Sequence, residues 1–143
     1  TMRLLDEAYA AGLAARPLRT AGGRLIALDR SVVVPDGAPA ATRAALDAAR
    51  GRYARNAIIQ GAAAELFKAW AATVRYAVRP LGGQIVLCLH DELLVQVPAE
   101  AADAGMAAVT QALADAARRW TGGAPVRFVA DLSVVSGWDQ AKG

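Results

Sequence analysis

Apolar residues recur at three- and four-residue steps over several long stretches, separated by short runs that are apolar almost throughout. Positions 2–16 carry helical spacing that should end near Pro17, which cannot continue a helix. Positions 25–28 and 32–34 read as short strands around Asp29-Arg30-Ser31, and 35–39 as a Pro- and Gly-bearing loop. Helical spacing resumes over 42–59 and 62–78 as two nearly continuous helices, with Phe67, Trp70, Val74 and Val78 at core spacing. Arg79-Pro-Leu-Gly-Gly83 stops the second helix and opens the run 84–97, two apolar strands meeting at His90-Asp91-Glu92. A further helix over 100–120 presents Met106, Val109, Leu113, Ala116 and Trp120 to a sheet, and Thr121-Gly-Gly-Ala-Pro125 turns the chain into a final strand over 126–135. The aromatic positions fit a core better than a stacking platform for bases. No repeat or internal boundary interrupts the pattern, so residues 1–143 read as a single α+β domain, one layer of helices on a small antiparallel sheet.

Composition changes this picture in one respect. With 55% hydrophobic residues and a mean hydropathy of +0.26 over 143 residues, the chain is more apolar than a free-standing domain of this size, so some apolar surface is expected to meet neighbouring segments. No signal peptide or uninterrupted apolar span of about 18 residues stands out, which argues against secretion and membrane insertion. The single cysteine, Cys88, excludes an internal disulfide, and its apolar flanks predict a buried thiol in a reducing compartment. A net charge of +3 and a pI near 9.5 permit nucleic-acid binding without demanding it. Arg43, Arg50, Arg52 and Arg55 crowd into one segment, where a solvated helix face accounts for them nearly as well as a phosphate-binding one.

Two segments carry candidate chemistry. In Gly51-Arg-Tyr-Ala-Arg-Asn-Ala-Ile-Ile-Gln-Gly61, Arg52, Asn56 and Gln60 stand four residues apart and would project from one side of a helix. A charged fork and two amides suit phosphates, sugars and base edges, although an ordinary wet helix face has the same composition. At the second segment, two carboxylates and an imidazole at a tight turn between apolar strands are costly to desolvate unless paired, and a divalent cation is the obvious partner. A hairpin turn also uses Asp for its own backbone hydrogen bonds, with Glu simply facing water.

In this order, the two segments resemble the C-terminal part of family A DNA polymerases, the bacterial polymerase I type. That family carries an Arg-x-x-x-Asn-x-x-x-Gln-Gly stretch, an apolar helix and a His-Asp-Glu hairpin called motif C. These correspond here to Arg52, Asn56, Gln60-Gly61, the helix around Glu65-Leu-Phe-Lys-Ala-Trp70, and His90-Asp91-Glu92. Gly22-Gly23-Arg24 with 25–29 resembles the family's Gly-Arg-Arg strand turn, and Gly137-Trp-Asp-Gln-Ala-Lys142 its chain end. One departure is Ile58-Ile59, where the family usually has a Pro between the Asn and the Gln, which leaves the aim of Gln60 open. A larger one is that neither the strand with the family's other metal-binding carboxylate, motif A, nor the fingers helix that grips the nucleotide is found.

The resemblance implies a partial polymerase palm, lacking the motif A strand and fingers and dependent on missing N-terminal polymerase segments. The implied reaction is nucleotidyl transfer: the primer 3′-hydroxyl attacks the α-phosphate of a dNTP, with two Mg²⁺ ions stabilising the transition state. Asp91 is implied as a metal ligand, Glu92 as a supporting carboxylate and His90 as a contact to the primer terminus, with a core role for His90 the alternative. Arg52, Asn56 and Gln60 would hold the primer-template DNA at its newest pair, through minor-groove acceptors present at every Watson-Crick pair. Arg24 and Lys68 could touch phosphates, although plain surface charge accounts for each better. Replication or repair in the bacterial cytoplasm, in association with the nucleoid, would follow. With one acidic turn and no partner strand, the 143-residue chain alone should not extend a primer; Asp131 is the only other acid that could approach Asp91. The remaining alternatives are an inactive, truncated DNA-binding module and a metal-dependent phosphohydrolase on His90, Asp91 and Glu92. The latter needs further ligands, and His90 is the one histidine.

Overall fold

The computed structural model describes residues 2–28 and 35–140. Its elements run α1 (Met2–Leu13), β1 (Leu18–Arg19), β2 (Leu25–Ile26), α2 (Ala40–Val78), β3 (Gln84–Leu89), β4 (Glu92–Gln96) and α3 (Ala102–Trp120), with single 3-10 turns at Arg79–Leu81, Ala99–Ala101 and Trp138–Gln140. Both sheets are two-stranded and antiparallel, β1 with β2 and β3 with β4. The α+β class expected from the pattern is therefore met. The chain divides into two compact units, Thr1–Glu65 and Leu66–Gly143, and α2 contributes residues to each.

In the first unit, α1 ends at Leu13, earlier than Pro17 requires. The Arg16 N–H reaches the Ala11 carbonyl at 2.9 Å and the Ala15 N–H the Gly12 carbonyl at 3.1 Å, a pairing that closes a helix through a left-handed residue. That residue is Ala15, at φ 52°, where glycine is usual. The carbonyls of Gly12 and Leu13 accept from the Arg50 guanidinium at 2.6 and 2.9 Å, and Asp47 pairs with the same group at 2.6 Å. Arg50 is thus buried, at 6% exposure, as a cap reaching α1 from α2. This removes it from the basic cluster, for which the sequence left a phosphate-binding face and a solvated face both open. α1 crosses α2 closely enough that a Cβ on Gly12 would stand 2.6 Å from the Gly51 Cα. Ala8, Ala11, Ile26, Leu28, Ala54 and Ile58 form the core of this unit.

β2 pairs with Leu18–Arg19, a strand the sequence pattern did not reveal because two residues are too few to show a period. The strand expected over 32–34 lies outside the described residues. The two helices expected over 42–59 and 62–78 are one unbroken helix, α2, an alanine-rich run with no proline to interrupt it.

In the second unit, Trp70, Val74 and Val78 of α2 pack with Val109, Ala112 and Ala116 of α3, as the spacing predicts for Trp70, Val74, Val78, Val109 and Ala116. Val74 and Val78 are fully buried, each contributing about 1.5–3 kcal/mol of transfer free energy. Phe67 meets Trp70 edge-on with ring centroids 5.9 Å apart, so these rings are packing groups. Met106, by contrast, is exposed, and Ala112 takes the buried place between Val109 and Ala116.

Ile85, Leu93 and Val95 of the β3–β4 hairpin pack on this core. Its register slips between Ile85 and Leu87, a bulge that leaves Val86 exposed. Cys88, expected buried, is exposed, as is Leu89 beside it; of the hairpin's apolar residues, Ile85, Leu93 and Val95 are the ones packed on the core.

The strand expected over 126–135 is absent; these residues enter no ladder, and Val126, Val129 and Val134 are exposed. β-propensity describes a fit to a neighbouring strand, and no described strand pairs with this segment. Among the described residues no helix is long and apolar enough to cross a membrane.

Candidate nucleic-acid interface and acidic hairpin

Along α2 within the first unit, Gly51, Ala54, Ile58 and Gly61 are buried, and Arg52, Asn56 and Gln60 are exposed. Four residues on a helix advance by slightly more than one turn, so the three polar side chains form a shallowly slanted row on the wet face. Tyr53 and Ile59, both about half exposed, flank that row. The unbroken helix sets the row's spacing, and Ile58-Ile59 continue it where a proline would have bent it.

Within the first unit, the buried stripe of α2 closes on an acid. Glu65 lies four residues past Gly61, and its side chain is only 11% exposed. One carboxylate oxygen accepts the Thr20 hydroxyl at 2.6 Å, and the other accepts the Gly22 N–H at 3.2 Å. The Arg24 Nε lies 3.9 Å away, and the Thr20 hydroxyl oxygen in turn accepts the Arg24 N–H at 3.0 Å. The Thr20 hydroxyl holds the Glu65 carboxyl below its ordinary value of 4.5, with burial opposing and the Gly22 and Arg24 amides and the Arg24 charge adding to the depression. Gly61 makes room for this contact, because a Cβ there would sit 2.7 Å from the Thr20 methyl. Glu65 and Thr20 were not singled out from sequence. The available signal was an acid on an apolar helix stripe; the partner, 45 positions away, was invisible.

In the second unit, Leu89 pairs with Glu92, so His90 and Asp91 alone make the loop of the β3–β4 hairpin. His90 has φ 52° whereas Asp91 is not left-handed, the pattern of a turn that favours glycine at its first loop position. A non-glycine residue there stores about 1–3 kcal/mol of backbone strain. His90, Asp91 and Glu92 are all exposed. The burial expected at this turn is thereby corrected: all three side chains face solvent. Among the described residues no three His, Cys, Asp or Glu side chains come together as a metal site, Asp131 included. Among the described residues, none joins His90, Asp91 and Glu92 as the further ligand that a hydrolase there would need.

Comparison with known proteins adds independent observations. The profile described as DNA polymerase family A matches residues 16–140. DNA polymerase theta of Caenorhabditis elegans is 45% identical over 47 residues, which make up 33% of this chain and 3% of that protein. The solved POL domain of Pol1 from M. smegmatis, in complex with DNA primer-template and dNTP, is similar at a TM-score of 0.61 and 26% identity, over 80% of this chain and 19% of that one. The chain therefore spans a small part of each of these relatives.

Proposed function

This chain belongs to DNA polymerase family A, and we propose that it forms the C-terminal palm portion of a DNA-directed DNA polymerase, supplying the motif C carboxylate and contacts to primer-template DNA. The reaction is transfer of a nucleotidyl group from a dNTP to a primer 3′-hydroxyl, with release of pyrophosphate. The observation that carries this reading is the His90-Asp91-Glu92 tip, where a two-residue loop, His90-Asp91, with a left-handed histidine leads into Glu92 inside the segment that the family profile matches. Strain of that kind persists where function selects the residue over the glycine that the backbone favours.

Asp91 would ligate Mg²⁺, with Glu92 as a supporting carboxylate. Magnesium is commonly held by one or two carboxylates together with water and substrate phosphates, so an exposed adjacent pair of acids suits a shared site and not a closed cage. When bound, the metal stabilises the charge that builds on the phosphoryl oxygens and lowers the pKa of the attacking hydroxyl. His90 would donate a hydrogen bond at the primer terminus. Arg52, Asn56 and Gln60 hold the duplex: the amides donate to minor-groove acceptors common to all base pairs, and the guanidinium meets sugar or phosphate. Such contacts test pair shape and do not read sequence.

In the full-length protein, Asp91→Ala is expected to lower primer extension at least about a hundredfold while leaving primer-template affinity within roughly twofold. Arg52→Ala is expected to weaken primer-template binding by about tenfold. Both follow from steady-state extension and anisotropy titration. Retention of extension by Asp91→Ala overturns the assignment of the hairpin.

A further inference from the structure

The Thr20–Arg24 turn and α2 are far apart in sequence, and the contact joining them is more elaborate than packing needs. Glu65 places both carboxylate oxygens on that turn, one on the Thr20 hydroxyl and one on the Gly22 amide. Thr20 is buried at 5% exposure and closes the turn by accepting the Arg24 N–H, while its own N–H donates to the Arg24 carbonyl at 3.0 Å. The Arg24 side chain runs outward past Gly61, with its Cδ 4.0 Å from where a Cβ would be, and remains 43% exposed. Gln60, the last member of the donor row, adjoins Gly61.

We propose that Glu65 is a positioning residue: with Thr20 it latches the turn onto α2 so that the Arg24 guanidinium extends the Arg52–Asn56–Gln60 row as a fourth DNA contact. This rests on reading that row as the duplex-holding face. The latch uses Glu65 as a double acceptor. Glutamine in its place keeps the shape but not the charge: with its oxygen on the Gly22 N–H, its amide donates to the Thr20 hydroxyl, so two charge-assisted bonds become neutral ones of about half the strength and the attraction for Arg24 is lost.

The sign of the effect separates this role from plain electrostatics. By charge alone, removing an acid beside DNA tightens binding, since less repulsion opposes the phosphates. The latch demands the reverse. In the full-length protein, titrated with a fluorescein-labelled primer-template between about 50 and 200 mM salt, Glu65→Gln is expected to weaken binding by about three- to tenfold and to reduce the slope of log K against log salt by about 1, as Arg24→Ala does. Thr20→Val, which keeps the methyl packed on Gly61, is expected to act in the same direction. On an Arg24→Ala background, Glu65→Gln is expected to add nothing.

Tighter binding by Glu65→Gln, an unchanged salt slope, or losses that add on the Arg24→Ala background would each overturn the proposal. Amide exchange over segment 18–25 without DNA reads the latch separately: Glu65→Gln is expected to speed it at least about tenfold, and unchanged exchange overturns the latch whatever the DNA does. Faster exchange together with no duplex binding by the wild-type protein overturns instead the DNA reading on which the role of Arg24 depends.

Discussion

At the scale of single residues, chemistry alone does not assign a role to a charged side chain. Arg50 and Arg52 are two positions apart in a basic stretch, yet one caps α1 from inside the unit and the other faces water. Arg50→Ala would strip the Gly12 and Leu13 carbonyls of their donor and leave Asp47 without its partner. A loss of about 2–4 kcal/mol is expected, read as a lower denaturation midpoint at an unchanged slope. Arg52→Ala, on the exposed face, is expected to shift the midpoint by less than about 0.5 kcal/mol. Glu65 repeats the lesson with the opposite charge: its helix address shows that it sits on the buried stripe, and only the folded chain shows that Thr20 and Gly22 meet it there.

At the scale of elements, periodicity was informative wherever an element was long. Trp70, Val74, Val78, Val109 and Ala116 fall in the core as the helical spacing requires. The β3–β4 hairpin was legible as two apolar strands around a polar tip, but its bulge and the backbone of His90 were not, since both depend on register. The tip offers a sharp test. His90→Gly relieves the left-handed strain and is expected to stabilise the full-length protein by about 1 kcal/mol in thermal unfolding, while lowering primer extension through loss of the imidazole. A stabilised variant with undiminished extension would leave His90 without a role at the primer terminus. The segment over 126–135 shows the converse failure. Its β-branched residues satisfy strand propensity, and a strand exists only where another edge completes the ladder.

At the scale of the whole molecule, the chain is a small share of the proteins it resembles, 19% of the POL-domain chain and 3% of the theta polymerase, and exposed Val126, Phe128, Val129 and Leu132 accord with its high apolar content. We expect the 143-residue chain alone to bind primer-template DNA weakly and with steep salt dependence, and to extend primers no faster than a mock preparation; measurable extension would show that the acids present here suffice. What the sequence by itself determined was local and periodic: the long helices, the apolar hairpin, the Arg52–Asn56–Gln60 row and the acidic tip, because each repeats within a few residues or lies contiguous in the chain. Tertiary structure decided which charges are buried, which face Cys88 presents, whether 126–135 pairs, and that Glu65 grips Thr20. Those outcomes depend on contacts between segments tens of residues apart, where desolvation and pairing set the result and no local pattern records it.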